Sequence, residues 1–273
     1  MIIKKFIKKI FNIIHKNRIN WFCTIYANFM LLPIKEAIKL PILIFGNCTI
    51  YNPCGRICFN QKVRYGLLKI GLSDPLRSFY SKSFIHISGT LHLGNNVILR
   101  KGINLAIYKN AVLILEDNVS IGNNSTIACI NEIHIGEATS VGNNTTFMDT
   151  DYHYVLDLKN KTAKTDTKKI EIGKYNWIGG NCVIKKGSKT PDGTILAGPF
   201  SMIGKDYTNI VPEYSIIGGS PAKLIASGFR RINNYQTENE LVKYFSDRNN
   251  TIFKFDDSID INEICQPTRN NNT

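Results

Sequence analysis

Ile121-Gly122-Asn123-Asn124-Ser125-Thr126 and Val141-Gly142-Asn143-Asn144-Thr145-Thr146 are near copies of one another, twenty residues apart. Each is an aliphatic residue, a glycine, two asparagines and two small hydroxyl residues. Outward from these words an aliphatic residue recurs every six positions. Upstream stand Ile87, Leu93, Leu99, Leu105 and Leu115; Ile127, Ile135 and Phe147 continue the series, and Ile172, Ile178, Ile184, Thr190, Leu196 and Met202 follow. A six-residue unit is a short strand and a turn, with one inward side chain that must fill a narrow core. Glycine and asparagine supply the turn conformations that other residues resist. Three such units close a triangular coil, and coils stack into a solenoid by backbone pairing. Strands of a β-sandwich recur every eight to twelve residues instead.

The series is broken three times, by four residues after Leu105, two after Ile127 and nineteen after Phe147. Counted in threes from Ile87, all three breaks fall at the same corner, so the extra residues leave one edge of the prism. Groups that do chemistry gather on loops held by a rigid scaffold. The longest insertion carries Met148-Asp149-Thr150-Asp151-Tyr152-His153.

Three segments resemble the hexapeptide-repeat acyltransferases: the repeat words, Asn176-Trp177-Ile178-Gly179-Gly180-Asn181-Cys182-Val183-Ile184, and Ile217-Gly218-Gly219-Ser220-Pro221-Ala222-Lys223. The loop through His153 is similar to that of the branch that modifies sugars and surface polysaccharides. The likeness spans about residues 85–226. It implies a left-handed parallel β-helix, a homotrimer, and active sites between neighbouring subunits. Lys189-Thr190-Pro191-Asp192-Gly193-Thr194 departs from the pattern; Pro191 cannot donate to a ladder, so this unit is expected to be turn-like or at an edge. Ala197-Gly198-Pro199-Phe200-Ser201 departs as well, replacing a more regular glycine-alanine stretch.

Acyl transfer from a thioester to an alcohol needs a base beside the hydroxyl, and histidine suits that work. Of five histidines, His15 lies in the N-terminal segment, and His86, His92 and His134 each precede an inward position and should point outward from strands. His153 alone occupies an insertion and is the candidate general base. Asp151, then Asp149, are candidates to orient its ring, or else form turns through their side chains. The resemblance implies that Trp177 lines the tunnel for the pantetheine arm of acetyl-CoA, although an aromatic surface residue is the competing view. Gly179, Gly180, Ala197 and Gly198 would let the coenzyme approach the backbone, with Lys205 and Lys223 meeting its phosphates. No metal site is expected: His134 and His153 lack a third histidine, and Cys54 and Cys58 lack a second Cys/His pair.

The formal net charge of +13 requires an anionic counterpart. Base-stacking aromatics do not interleave with the basic residues of the repeat, which argues against nucleic acid. Seven cysteines, an odd number without a C-x-x-C, fit reduced thiols in the cytoplasm. Residues 2–16 separate on a helical wheel into an isoleucine- and phenylalanine-rich half and a lysine-rich half. Such a helix either lies on the inner face of an anionic membrane or packs on the protein's own core. Residues Trp21 to Leu32 are too short to span a bilayer, and Thr24 and Asn28 interrupt them. Residues 1–42 are thus expected to be a helical basic segment and 43–226 the β-helix. Residues 227–273 would carry a short helix opened by Thr237-Glu238-Asn239-Glu240 and a polar tail.

The expected function is acetyl-CoA-dependent O-acetylation of a sugar hydroxyl, on a lipid-linked or soluble saccharide of surface polysaccharide synthesis. Acetylation of an amino acid or amino sugar is the enzymatic alternative, and a β-helix scaffold at the membrane surface the non-catalytic one.

Overall fold

A computed structural model describes residues 18–73 and 81–268. Residues 2–16, read above as a basic amphipathic segment, lie outside that range. Helix α1 (Trp21–Leu31) and the single turn α2 (Ile34–Ala37) precede the first strand. From Ile42 onward the chain visits three parallel sheets in strict rotation. Sheet one runs from Ile42–Ile44 through Ser120–Ile121, Ser140–Val141 and Trp177–Ile178 to Ser215–Gly219. Sheet two runs from Cys48–Tyr51 to Met202–Ile203. Sheet three runs from Arg56–Phe59 to Lys189–Thr190. The result is a left-handed parallel β-helix.

The six-residue spacing is realised as columns of inward side chains. In sheet one Leu99, Ile121, Val141, Ile178 and Leu196 stand in register on successive coils. In sheet two Leu105, Ile127, Phe147 and Ile184 do so, and in sheet three Leu93, Leu115, Ile135 and Ile172. All are buried. The repeated asparagines have a local cause. Asn124, Asn144 and Asn181 close the same corner with φ between +54° and +57°, a conformation asparagine tolerates better than most residues. Asn144 Nδ2 donates to Asn181 Oδ1 across coils at 3.0 Å.

The repeat slips twice. Ile87 pairs with Ile107, while Ile85 faces Leu105, so Ile87 is inward but one inward position late. At the other end Ile203, not Met202, faces Ile184 and is fully buried. The extra residue lies in the Gly198-Pro199-Phe200 turn. Replacing Ile203 with alanine is expected to cost about 2–4 kcal/mol in chemical denaturation, and Met202→Ala less than about 1 kcal/mol; equal losses would restore the original phase. Lys189–Thr190 is the last strand of sheet three, at its edge.

The two ends of the solenoid are closed differently. Ser215–Gly219 and Ala222–Ser227 form an antiparallel hairpin at the C-terminal end, and buried Tyr207 donates its hydroxyl to Ala222 O at 2.9 Å. The following chain does not cap that end. Helix α3 (Tyr235–Tyr244) starts two residues before the expected capping box. Asn234 is its N-cap, accepting from Gln236 and Thr237 N–H, so Thr237 lies in the first turn. A second helix, α4 (Ile261–Cys265), holds the α3 entry through Asn233 and Asn234 N–H to Ile264 O. Between hairpin and α3 the chain runs along the side of the solenoid, where Arg230 lies over the Tyr175 and Tyr214 rings. All seven cysteines are free thiols.

Candidate active site

The three insertions do leave one edge, where sheet two turns into sheet three: residues 108–111, 130–131 and 149–169. The longest folds back as a small hairpin, Leu156–Asp157 against Thr162–Ala163. Its root is bolted to the coil below. Asp149 is fully buried, and its two carboxylate oxygens accept the backbone N–H groups of Ile130 and Asn131, each at 2.8 Å. Burial pushes this carboxyl above the ordinary aspartate range, while those backbone N–H groups pull it down. Asp149 therefore acts on the neighbouring insertion, not on His153.

Asp151 is also committed elsewhere. Its Oδ2 pairs with Lys186 Nζ at 2.8 Å, and the same ammonium donates to Thr165 O and Asp166 O at 3.1 and 3.0 Å. Lys186 thus ties both ends of the insertion to the next coil. The repeat phase could have flagged it, as it stands two residues past inward Ile184, but nothing in its neighbourhood marks it among so many lysines. His153 forms no hydrogen bond to either carboxylate: Asp149 accepts the two backbone amides, and Asp151 Oδ2 pairs with Lys186.

His153 itself is exposed, beside a shallow cleft shared with Asp151, Asp157, Lys164, Thr165 and Lys186. Tyr152, which precedes it, has φ of +60°, a rare conformation for an aromatic residue. Its N–H donates to Thr150 Oγ1 at 2.8 Å, which holds the turn. Burial, followed by the adjacent Tyr108 phenol, raises the Tyr152 hydroxyl pKa. Tyr108 begins a row of aromatic rings down sheet two. Its ring meets His86 at 5.5 Å, His86 meets Tyr51 at 5.5 Å, and Tyr51 meets Phe84 at 6.2 Å. His86 and His134 point outward from their strands, bound to Tyr51 O and Glu116 respectively.

The residues assigned to the coenzyme lie mainly on a different part of the prism. Trp177 projects from sheet one, 43% exposed, with the Arg231 guanidinium 5.4 Å above its ring. Burial pulls the Arg231 pKa below the usual value, and Glu238 opposes that effect. Gly179, Gly180 and Gly198 turn the corner from sheet one to sheet two. Their lack of a side chain serves coil stacking first: a Cβ on Gly179 would meet Gly198 N at 2.5 Å, and one on Gly198 would meet Gly180 O at 2.6 Å. Ala197 sits on the adjoining strand, its carbonyl accepting from Ser201 Oγ. Lys223 is exposed on the closing hairpin. Lys205 belongs to the other group, following Ile203 at the insertion edge with its ammonium 5.3 Å from the Tyr207 ring. One chain therefore presents His153 on the edge between sheets two and three and Trp177 on sheet one, the face opposite that edge. Among the described residues no cluster of His, Cys, Asp and Glu could hold a metal ion.

No family model matches the chain. An Escherichia coli (strain K12) protein named for an O-acetyl transferase role in lipopolysaccharide biosynthesis, WbbJ, is 24% identical over 183 residues. The match covers 64% of this chain and 89% of that protein. The rotation of strands and the inward columns are those of a left-handed parallel β-helix. Among solved structures, the polysialic-acid-specific acetyltransferase NeuO has a TM-score of 0.47 at 20% identity, over 71% of this chain and 80% of that one. A hexapeptide-repeat acetyltransferase of Vibrio cholerae, VCA0836, complexed with acetyl-coenzyme A, has a TM-score of 0.40 at 26% identity, over 50% and 70%.

Proposed function

We propose that this hexapeptide-repeat enzyme transfers an acetyl group from acetyl-CoA to a saccharide hydroxyl during surface polysaccharide synthesis, with His153 as general base. The observation that carries it is the placement of His153: an exposed imidazole with no hydrogen-bond partner among the described residues, on a loop that Asp149 and Lys186 fix to a rigid solenoid. The curated relative is named for O-acetyl transfer in lipopolysaccharide synthesis, which supports a saccharide hydroxyl as acceptor.

The chemistry follows from what the chain presents. A free imidazole nitrogen of His153 accepts the proton of the acceptor hydroxyl as the oxygen becomes nucleophilic. Acetyl-CoA, when bound, supplies the acetyl group as an activated thioester. Trp177 offers an apolar surface for the pantetheine arm, and Lys223 and Arg231 place positive charge at that end for phosphates. Because His153 and Trp177 occupy different edges of one prism, a homotrimer in which neighbouring copies pair the two edges completes the site. The protein then works at the cytoplasmic side, where acetyl-CoA is made.

The experiment is coenzyme A release from acetyl-CoA with a panel of sugars and oligosaccharides, with the product analysed for ester or amide. An amide product would point to an amino-sugar acceptor instead. Sedimentation equilibrium checks the trimer, which a monomeric active enzyme would refute. Trp177→Ala is expected to raise KM for acetyl-CoA roughly tenfold, in keeping with the loss of one well-placed aromatic contact; an unchanged KM would remove Trp177 from the donor site.

A further inference from the structure

Helix α1 is built inside out. A surface helix ordinarily turns its apolar stripe inward and its polar residues to water. Here Thr24 and Asn28 are fully buried, while Trp21, Phe22, Ile25, Tyr26, Phe29 and Met30 are 40–80% exposed. The buried polar pair has a clear task. Ile42–Ile44 is the first strand of sheet one, so the N–H and C=O groups of Ile42 and Ile44 face an open edge. Asn28 takes both groups of Ile42, donating to its carbonyl at 2.8 Å and accepting its N–H at 3.2 Å. Thr24 Oγ1 accepts the Ile44 N–H at 3.0 Å, and Asn20 N–H donates to Ile44 O at 2.7 Å. The helix imitates the missing strand and closes the end of the solenoid, touching sheet two as well through Cys23 and Cys48.

That task does not explain the outer face. It bears no charged side chain, and Ile34 and Ile38 of α2 extend it, 72% and 64% exposed. Monomeric soluble proteins seldom leave so continuous an apolar patch in water. Lys35 and Lys39 are exposed beside it, and the sequence of residues 1–40 is basic overall, with eight Lys or Arg against a single acidic residue, Glu36. An apolar face that carries Trp and Tyr and is flanked by lysines matches the headgroup boundary of an anionic bilayer. Among the described residues no helix is long and apolar enough to cross a membrane, so the contact is with its surface. The position of the face also favours a lipid plane over a second copy. It lies on the end of the solenoid, so copies gathered side by side would turn their caps toward one plane instead of toward each other.

We propose that the outer face of α1 and α2 docks the protein on an anionic lipid surface, with Phe22 and Phe29 as principal anchors. The test is cosedimentation of the full chain with vesicles of phosphatidylcholine alone and of phosphatidylcholine with phosphatidylglycerol. Wild type is expected in the pellet only with the anionic vesicles. Phe22→Glu/Phe29→Glu should lower the partition coefficient at least tenfold, with circular dichroism and sedimentation mass unchanged. Ile25→Gln/Met30→Gln provides a milder pair should the first not fold. Wild type remaining in the supernatant would overturn the proposal, as would a variant that still binds, since the basic residues before α1 would then suffice. A variant that changes the oligomer mass would assign the face to a second copy instead. Acetyl transfer to a soluble acceptor should survive these substitutions, so failure of docking is distinguishable from failure of the proposed reaction.

Discussion

His153→Ala is expected to reduce acetyl transfer to a saccharide acceptor by about 10²–10⁴-fold in kcat, the usual contribution of a positioned general base. The fold should not notice. His153 is exposed and forms no hydrogen bond to the described residues, and substitutions of that kind stay within about 0.5 kcal/mol. Coenzyme A release by wild type and variant at saturating acetyl-CoA, alongside thermal melts, gives the two quantities together. Because removal of a base acts on the step that forms the new ester, KM for acetyl-CoA should change little. Undiminished transfer by the variant would eliminate His153 as the base. Loss of transfer accompanied by a lowered melting temperature would indicate a structural role.

Asp149→Ala is expected to have the opposite character, a stability loss of about 3–5 kcal/mol with activity falling alongside it. Two hydrogen bonds to a buried carboxylate disappear at once, each worth about 1.5–3 kcal/mol, and the N–H groups of Ile130 and Asn131 lose their acceptor. Asp149→Asn should recover part of this, since one amide oxygen can still accept while the NH2 group opposes a donor. Asp151→Asn is the control. Its ion pair with Lys186 is partly exposed, so its loss should cost no more than about 1 kcal/mol. Urea denaturation of the three variants orders them, and an Asp149→Ala protein as stable as wild type would refute the anchoring role.

The columns of the β-helix were legible because one side chain in six has nowhere to go but inward, and asparagine and glycine at corners punctuate the count. The phase failed where corners changed length: at Ile87, and again at Gly198-Pro199-Phe200, where one added residue moves burial from Met202 to Ile203. The insertion edge was legible from that same count, and with it the loop bearing His153. The partners of the loop were not. Asp149 and Asp151 are near His153 in sequence, yet what decides their bonds is which coil lies above and below, and spacing along the chain does not report that. The stacking role of the glycines was hidden for a related reason: the backbone that excludes a Cβ at Gly179 belongs to a residue nineteen positions away. The order of α1 was hidden too, because Thr24 and Asn28 look like interruptions of an apolar run until the open edge they fill is seen.

The even stacking of coils also makes the molecule a ruler. Strands of neighbouring coils are about 4.8 Å apart. Sheet two climbs from Cys48–Tyr51 through three further strands to Thr146–Met148, from which the His153 loop departs. With the α1 face resting on lipid, four such spacings put the His153 loop roughly 20 Å above the first strand of sheet two, and the roughly 10 Å thickness of α1 adds to that height. The rings of Tyr51, His86 and Tyr108 mark the lower rungs of the climb. The enzyme would thereby measure altitude: a hydroxyl next to the lipid anchor is too low, and sugars added later are within reach. Lengthening the solenoid by one coil below His153 would move the acetylated position outward along the glycan without altering a single residue of the loop.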